Sequence, residues 1–79
     1  MHYIYILKSL KDGKYYTGFS SDLRGRLKDH QAGYVQSTKN RRPLELIYYE
    51  AYKEKTQALK REKFLKTTKG KLQLKKQLE

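Results

Sequence analysis

Apolar and aromatic positions alternate at the start of the chain and predict two paired β-strands. Residues 3–7 carry aromatic and branched aliphatic side chains at both parities, so both faces of this strand are expected to be covered. A second strand is predicted over residues 14–19, and the turn signal Asp12-Gly13 indicates an antiparallel hairpin with a loop somewhat longer than two residues. Tyr16 and Gly18 share one face of this second strand, because side chains alternate along a strand.

Helical spacing replaces this alternation after the hairpin. Capping residues at positions 20–22 precede leucines and His30 spaced at i, i+4 and i+7, and Gly33 is typical of the position just past a helix. Arg26 lies beside this stripe with His30 one turn away, so the two side chains can act together.

The second half of the chain predicts a loop, a strand and two helices. Residues 34–42 are polar and basic without a clear period, which favours a loop with room for one helical turn. A third strand is predicted over residues 44–52, and a helix over residues 55–66 with its cap near Thr56. A basic helix is predicted over residues 69–79, and it either docks by its leucines or frays.

This order of elements predicts an α+β fold, with a small three-stranded antiparallel sheet flanked by helices. One domain is expected over residues 1–79, made of a core at 3–66 and a basic C-terminal helix at 67–79. A chain of this length buries only about 60% of its unfolded surface, so a second core is not expected.

The inner face of the second helix contains an unexpected carboxylate. Ala58, Leu59 and Leu65 are predicted to face the sheet, and Glu62 projects from the same stripe. Burying a carboxylate is costly unless a cation, a metal ion or several donors accompany it. A structural ion pair and a functional site therefore explain Glu62 equally well from the pattern alone.

The chain is strongly basic, with 19 lysine and arginine residues against 8 acidic ones and a net charge of +11. Such an excess attracts polyanions, of which nucleic acid is the first expectation, while a solvated lysine-rich surface is the alternative. The loop residues that could contact phosphate, or simply remain solvated, are Thr38, Lys39, Arg41 and Arg42.

Composition excludes several other classes of protein. The chain has no cysteine, which excludes disulfides, thiolate metal sites and thiol nucleophiles. Its apolar runs fall short of the roughly 18 residues of a membrane span, and no signal-peptide layout opens it, so a cytoplasmic protein without membrane contact is expected.

Two strands and two helices contribute the candidate catalytic group: Tyr5, Tyr16, Arg26, His30 and Glu62. The guanidinium suits a phosphate that gains charge during a displacement. The carboxylate can hold one hard cation such as Mg²⁺. A tyrosine that is favoured as its phenolate can take a proton from water, and the histidine can orient a tyrosine or help to transfer a proton.

The motifs around these side chains resemble the GIY-YIG nuclease superfamily, in its small single-domain form related to the N-terminal nuclease module of the bacterial excision-repair incision subunit. The matching positions are Tyr3-Ile4-Tyr5, Tyr16-Thr17-Gly18, Arg26, His30, Arg61-Glu62 and Lys66. The resemblance covers residues 3–66, with Tyr3 in place of the family's first glycine and Thr17 in place of an isoleucine.

This resemblance implies hydrolysis of a phosphodiester bond in nucleic acid, DNA more readily than RNA, with one divalent metal ion, Mg²⁺ or Mn²⁺. DNA repair is one setting that it suggests. By the same resemblance Glu62 corresponds to the metal ligand and Arg26 to the arginine on the scissile phosphate. Tyr5 and Tyr16 correspond to the paired tyrosines, and His30 to the family's frequent histidine.

Tyr16 is favoured as the base, because it shares a face with Gly18, where bare backbone could let a substrate approach. The residues expected to contact nucleic acid are Gly18, Lys39, Arg41, Arg42 and Lys66. A non-catalytic nucleic-acid-binding module and a small interaction protein with incidental charge are the alternatives. Any selectivity is expected from the domain's own basic surface or from a protein partner.

Overall fold

The computed structural model describes residues 1–79 and confirms the predicted α+β architecture. Three strands form one antiparallel sheet in the order β2-β1-β3. Its elements are β1 (His2–Ser9), β2 (Tyr15–Ser20), α1 (Leu23–Ala32), a 3₁₀ turn (Lys39–Arg41), β3 (Leu44–Tyr52), α2 (Lys55–Leu65) and α3 (Thr68–Leu78). None of the helices combines the length and the apolar character that crossing a membrane requires.

The central strand β1 is buried on both faces, as its sequence predicts. Ile4 and Ile6 point to one side of the sheet and Tyr5 and Leu7 to the other, and all four are fully buried. Burial of each aliphatic side chain contributes about 1.5–3 kcal/mol. Gly13 closes the hairpin with a φ of +73°, a left-handed conformation that glycine adopts without strain.

Different helices cover the two faces of the sheet. Under α2 and α3 the core consists of Ile4, Ile6, Ala58, Leu65 and Leu74. Under α1 it consists of Tyr5, Leu7 and Leu44, with Leu23 and Leu27 of the helix packed against them. The sheet therefore separates the buried side chains that β1 presents to α1 from those that it presents to α2 and α3.

The ends of α1 lie where the sequence predicts them. The Asp22 carboxylate accepts a hydrogen bond from the Gly25 backbone N–H at 3.1 Å, and Gly33 follows the helix with a φ of +83°. The predicted cap of α2 near Thr56 is wrong. The N-cap is Glu54, without a side-chain hydrogen bond, because the chain turns into the helix soon after β3.

The predicted inner face of α2 is wrong at one position. Ala58 and Leu65 are buried, but Leu59 is 40% exposed. Arg61 turns toward the sheet instead, because Glu50 on β3 accepts two hydrogen bonds from its guanidinium at 3.0 and 3.1 Å. Apolar spacing within one helix does not reveal a charged partner on a distant strand.

The C-terminal helix α3 docks rather than frays. The Thr67 hydroxyl caps it by accepting a hydrogen bond from the Gly70 N–H at 3.1 Å. A side chain at Gly70 would collide with the backbone carbonyl of Phe64, so glycine permits close approach of α3 to α2. Leu74 is buried against the sheet, whereas Leu72 is 61% exposed.

Candidate active site

Four of the five candidate side chains meet on the α1 side of the sheet. Tyr5 and Tyr16 come from neighbouring strands, while Arg26 and His30 come from the helix that packs over them. The ring centroids of Tyr5 and Tyr16 are 6.4 Å apart, and the His30 ring lies 5.6 Å from Tyr5 and 5.3 Å from Tyr16. The hairpin and α1 thus bring these groups together, while their chemical roles stay predictions.

Tyr5 is the interior member of the group. Its side chain has no exposed surface, and its hydroxyl forms a hydrogen bond of 2.8 Å with Nε2 of the equally buried His30. A hydroxyl in this position does not reach solvent. Tyr5 can therefore act on a substrate only through its neighbours.

Gly18 is present because of Tyr5, which corrects the expectation that it admits a substrate. The two residues are paired across β1 and β2, and a Cβ at Gly18 would overlap the Tyr5 ring. Gly18 is itself buried. The close approach that its sequence position suggests is made by an aromatic ring of the same protein, so Gly18 does not offer a surface for nucleic acid.

The charge states around Tyr5 follow from burial and from one cation. Burial raises the pKa of Tyr5, and the nearby Arg26 guanidinium offsets only part of that rise. Burial also lowers the pKa of His30, and the charge of Arg26 lowers it further. The pKa of Arg26 is raised, first by its interaction with the Tyr5 hydroxyl. At neutral pH the site holds a neutral phenol, a neutral imidazole and a permanent cation.

Tyr16 is the accessible tyrosine of the pair. It is only half-buried, and its hydroxyl has no hydrogen-bond partner within the protein. It lines a surface depression of about 430 Å³ together with Arg41, Lys66 and Lys71. Of the two tyrosines, Tyr16 is the one whose hydroxyl a bound substrate can touch.

Glu62 comes from α2, which packs on the opposite side of the sheet, and approaches the group at the edge strand β2, where its partner Lys66 lines the same depression as Tyr16. Burial is the main cause of the raised pKa of Tyr5, and the negative charge of Glu62 adds a smaller part. The Glu62 side chain is 21% exposed and accepts a hydrogen bond from Lys66 at 3.3 Å. Solvent-accessible pairs of this kind contribute at most about 1 kcal/mol, so another cation can compete for the carboxylate.

The donor set around Glu62 suits one kind of metal site only. No three histidine, cysteine or acidic side chains stand together as a metal-binding group in this chain. Zn²⁺ in a structural site and Ca²⁺ require more protein ligands than this. Mg²⁺ and Mn²⁺ fit a single carboxylate, because Mg²⁺ in particular keeps several water molecules and takes further oxygens from substrate phosphates.

A second depression extends the basic surface beyond Tyr16, and sequence reasoning missed it. It has a volume of about 450 Å³, and it shares Tyr15, Thr17 and Lys71 with the first depression. We call the two together the basic groove, whose cations are Lys14, Arg41, Lys66, Lys71 and Lys75. No acidic residue lines it. The i, i+4 spacing of Lys71 and Lys75 is the signal that could have indicated it.

Two of the predicted phosphate ligands lie elsewhere. Lys39 and Arg42 border a different depression, together with Lys11. The Arg42 guanidinium donates to the carbonyl oxygens of Lys39 at 2.9 Å and Gln31 at 3.4 Å, so it fastens the loop. Only Arg41 and Lys66 of the predicted basic contacts lie in the basic groove.

Thr38 also departs from expectation. Its side chain is fully buried instead of facing phosphate, and its hydroxyl lies 2.7 Å from Nδ1 of His30. No periodic or compositional signal in residues 34–42 indicates this contact, because its partner belongs to another element.

Comparison with known proteins identifies the family. The family model that describes the GIY-YIG catalytic domain matches residues 1–77 of this sequence. The chain belongs to the GIY-YIG family. This confirms the resemblance seen in the sequence and places the protein in a nuclease family, for which interaction with nucleic acid is implied.

The relatives within this GIY-YIG family are UPF0213 proteins. A UPF0213 protein of Staphylococcus saprophyticus is 48% identical over 67 residues, which covers 84% of this chain and 80% of the relative. One from Staphylococcus aureus is 45% identical with the same coverage. The solution structure of a UPF0213 protein from Bacillus halodurans is similar with a TM-score of 0.58 and 37% identity, covering 92% of this chain and 80% of that one.

Proposed function

We propose that this protein is an endonuclease that hydrolyses phosphodiester bonds in nucleic acid, with DNA as the expected substrate and one divalent metal ion as cofactor. One observation carries the proposal. Arg26, Tyr16 and Glu62 come from three different elements: the Tyr16 ring lies 5.3 Å from that of His30, one helical turn from Arg26 on α1, and Tyr16 lines one depression with Lys66, the partner of Glu62. Together they supply a phosphate ligand, an accessible proton acceptor and an oxygen ligand for a metal ion. Membership of a nuclease family supports the same reading.

Arg26 is the proposed ligand of the scissile phosphate. Its guanidinium forms no ion pair with a carboxylate of the protein, so its donors remain available. A planar guanidinium matches two phosphate oxygens, and its charge stabilises the negative charge that develops during an in-line displacement.

Tyr16 is the proposed base, because its hydroxyl is accessible while that of Tyr5 is not. Tyr16, acting as general base, takes a proton from the attacking water. The water oxygen forms a bond to phosphorus as the bond from phosphorus to the leaving ester oxygen breaks. The leaving oxygen then takes a proton from solvent, and Tyr16 returns its own proton to solvent.

Glu62 is the proposed metal ligand. When bound there, Mg²⁺ or Mn²⁺ supplies positive charge that stabilises the leaving oxygen. The carboxylate must exchange its contact with Lys66 for the metal ion, and the partial exposure of both side chains makes that exchange inexpensive.

The basic groove is the proposed path of the substrate backbone. It abuts Tyr16 and carries five cations, of which Lys14, Lys71 and Lys75 have no acidic partner in the structure. Unpaired lysines release counterions when they meet phosphates, which gives affinity that depends on salt but not on base sequence.

A non-catalytic nucleic-acid-binding module is the second candidate function. The observation that favours it is the contact between Lys66 and Glu62, which places a cation of the protein where the metal ion would bind. Such a module would keep the basic groove and its salt-sensitive affinity without cleaving the bound strand.

One assay separates the two functions. Single-stranded, nicked and branched DNA, together with single-stranded RNA, are incubated with the protein in Mg²⁺, in Mn²⁺ or in EDTA, and a Glu62→Gln variant is purified in the same way. Metal-dependent cleavage by the wild type that the variant lacks supports the endonuclease. Equal cleavage by both proteins would indicate a contaminant, and salt-sensitive binding without any cleavage would support the binding module.

A further inference from the structure

A line of three fully buried side chains connects the loop after α1 to the candidate active site. The Tyr5 hydroxyl lies 2.8 Å from Nε2 of His30, and Nδ1 of His30 lies 2.7 Å from the Thr38 hydroxyl. Each of the three side chains has no exposed surface. The Thr38 hydroxyl has one further acceptor within 3.5 Å, the backbone carbonyl of Val35. Because these atoms have no surface exposed to bulk solvent, the protein groups must satisfy one another.

Only one direction of donation gives every proton in this line an acceptor. A neutral imidazole carries one N–H, so one ring nitrogen donates and the other accepts. If Thr38 donated to Nδ1, then Nε2–H would donate to the Tyr5 oxygen, and the buried Tyr5 proton would have no acceptor among its neighbours. In the opposite direction Tyr5 donates to Nε2, Nδ1–H donates to Thr38, and Thr38 donates to Val35. Because an unsatisfied buried donor is costly, the second direction prevails.

This direction determines what the Tyr5 oxygen offers to its other neighbours. When Tyr5 donates its proton to His30, the lone pairs of the phenol oxygen stay free to accept. If Nε2–H donated to the same oxygen, it would occupy one of those lone pairs, and the Tyr5 proton would point elsewhere. The hydrogen-bonding state of the Tyr5 hydroxyl thus depends on the tautomer of His30.

We propose that Thr38 is a positioning residue that holds His30 in the tautomer with the proton on Nδ1, and that through His30 it fixes the Tyr5 hydroxyl as a donor to Nε2 with its lone pairs free toward the candidate active site. Thr38 itself touches no substrate, since it is fully buried. Its place in the fold depends on the 3₁₀ turn that follows it, because the Arg41 N–H donates to the Thr38 carbonyl at 2.8 Å. The effect on cleavage rests on the proposed function, whereas the effect on the tautomer does not.

The test records the ring-nitrogen NMR signals of His30 in the wild type and in Thr38→Val, Thr38→Ser and Gln36→Ala. Valine keeps the shape of threonine without the hydroxyl, serine restores the hydroxyl, and Gln36 is an exposed residue of the same loop that serves as control. In the wild type we expect a protonated Nδ1 and an unprotonated Nε2. Thr38→Val should shift the ring toward the Nε2–H tautomer, while Thr38→Ser and Gln36→Ala should keep the wild-type pattern.

The same variants are assayed for cleavage. Thr38→Val should lower the rate about tenfold, the effect of losing one neutral hydrogen bond, and Thr38→Ser should recover it. A wild-type ring protonated on Nε2, or a Thr38→Val ring and rate identical to wild type, would overturn the role of Thr38. If Thr38→Val does not fold, the wild-type and Thr38→Ser spectra decide the tautomer. If no protein cleaves but the tautomer shifts as expected, the endonuclease fails and the positioning role stands.

Discussion

Two clusters of tyrosine, arginine and glutamate lie on opposite sides of the same sheet and differ in how fully their hydrogen bonds are satisfied. The cluster under α2 and α3, the Glu50 cluster, consists of Tyr48, Glu50, Tyr52 and Arg61. Its carboxylate accepts a hydrogen bond from each tyrosine, at 2.5 and 2.6 Å, and two from the guanidinium. The other cluster, the α1-side site, consists of Tyr5, Tyr16, Arg26 and His30 with Glu62 nearby.

The Glu50 cluster is internally complete. Burial would raise the pKa of Glu50, but hydrogen bonds from Arg61 and the two tyrosines outweigh it and hold that pKa below its usual range. Burial and the hydrogen bond to Glu50 raise the pKa of Tyr52 to about 12. Both tyrosine hydroxyls and two guanidinium nitrogens of Arg61 thus donate to the same carboxylate, and the cluster joins β3 to α2.

The α1-side site contains donors and acceptors that have no partner within the protein. The Tyr16 hydroxyl has no protein partner, Arg26 has no carboxylate partner, and Glu62 has only a half-exposed lysine. The comparison teaches that residue type does not separate a structural cluster from a functional one. Unused donors and acceptors at an accessible surface do.

Removing one hydroxyl from each cluster should give the largest contrast. Tyr16→Phe should lower cleavage by about 10²–10⁴-fold, the usual contribution of general base catalysis, and leave thermal stability unchanged. Tyr52→Phe should leave cleavage intact but reduce the free energy of unfolding by about 1 kcal/mol, because Glu50 loses one donor. Single-turnover rates and urea unfolding measure the two quantities. Similar loss of cleavage in both variants would erase the distinction.

The second-largest contrast should lie in the free energies of unfolding of the variants Arg61→Ala and Arg26→Ala. Arg61→Ala leaves a half-buried carboxylate without its cation and should lower the free energy of unfolding by about 2 kcal/mol. Arg26→Ala breaks no ion pair and should change it by less than about 1 kcal/mol, while abolishing most cleavage. Chemical denaturation of both variants measures the difference. A larger destabilisation from Arg26→Ala than from Arg61→Ala would show that the α1-side site is structural.

The basic groove allows a matched pair on a single helix. Lys71→Glu reverses a charge inside the groove, and Lys76→Glu reverses an exposed charge on the same helix outside it. Lys71→Glu should weaken binding of a DNA oligonucleotide about tenfold. The slope of log affinity against log salt concentration should also become shallower by about one to two, which corresponds to one or two lost phosphate contacts. Fluorescence anisotropy at several salt concentrations measures both. Equal effects of the two substitutions would mean that affinity follows total charge and not a defined path.

The smallest expected effect is a pH dependence of stability that comes from His30. Its pKa is lowered in the folded protein by burial and by Arg26, so the unfolded chain binds the proton more readily. The free energy of unfolding should therefore fall as the pH drops below about 6.5, the ordinary value for histidine, by at most about 1.4 kcal/mol per pH unit. His30→Gln should remove this part of the slope. An unchanged slope in that variant would show that the imidazole is not held neutral.

Local patterns predict the elements of this fold well, because their causes are local. Both bounds of β3 match the predicted span, and Asp22 and Gly33 end α1 as capping residues do. The meeting of Tyr5 and Tyr16 was also predictable, since a hairpin fixes which strands are neighbours. The relative exposure of the two tyrosines was not, because it depends on how α1 packs over them.

The remaining differences all involve partners far apart in the chain. Leu59 faces solvent because Glu50 draws Arg61 inward, and Thr38 is buried because His30 offers it a hydrogen bond. Neither contact leaves a periodic trace in the sequence. Tyr15 joins the basic groove because α3 packs against α2, which in turn packs on β2, and local spacing does not specify this arrangement.

Paramagnetic broadening by Mn²⁺ tests most directly whether the α1-side site is the open cluster. Isotope-labelled protein is titrated with Mn²⁺ in the presence of a short DNA oligonucleotide, alongside Glu62→Gln and Glu50→Gln variants. We predict that backbone signals around Glu62 and Tyr16 broaden first in the wild type and in Glu50→Gln, and that this broadening is lost in Glu62→Gln. Broadening that centres on Glu50, or that is unchanged in Glu62→Gln, would contradict the assignment of the metal and of the active site.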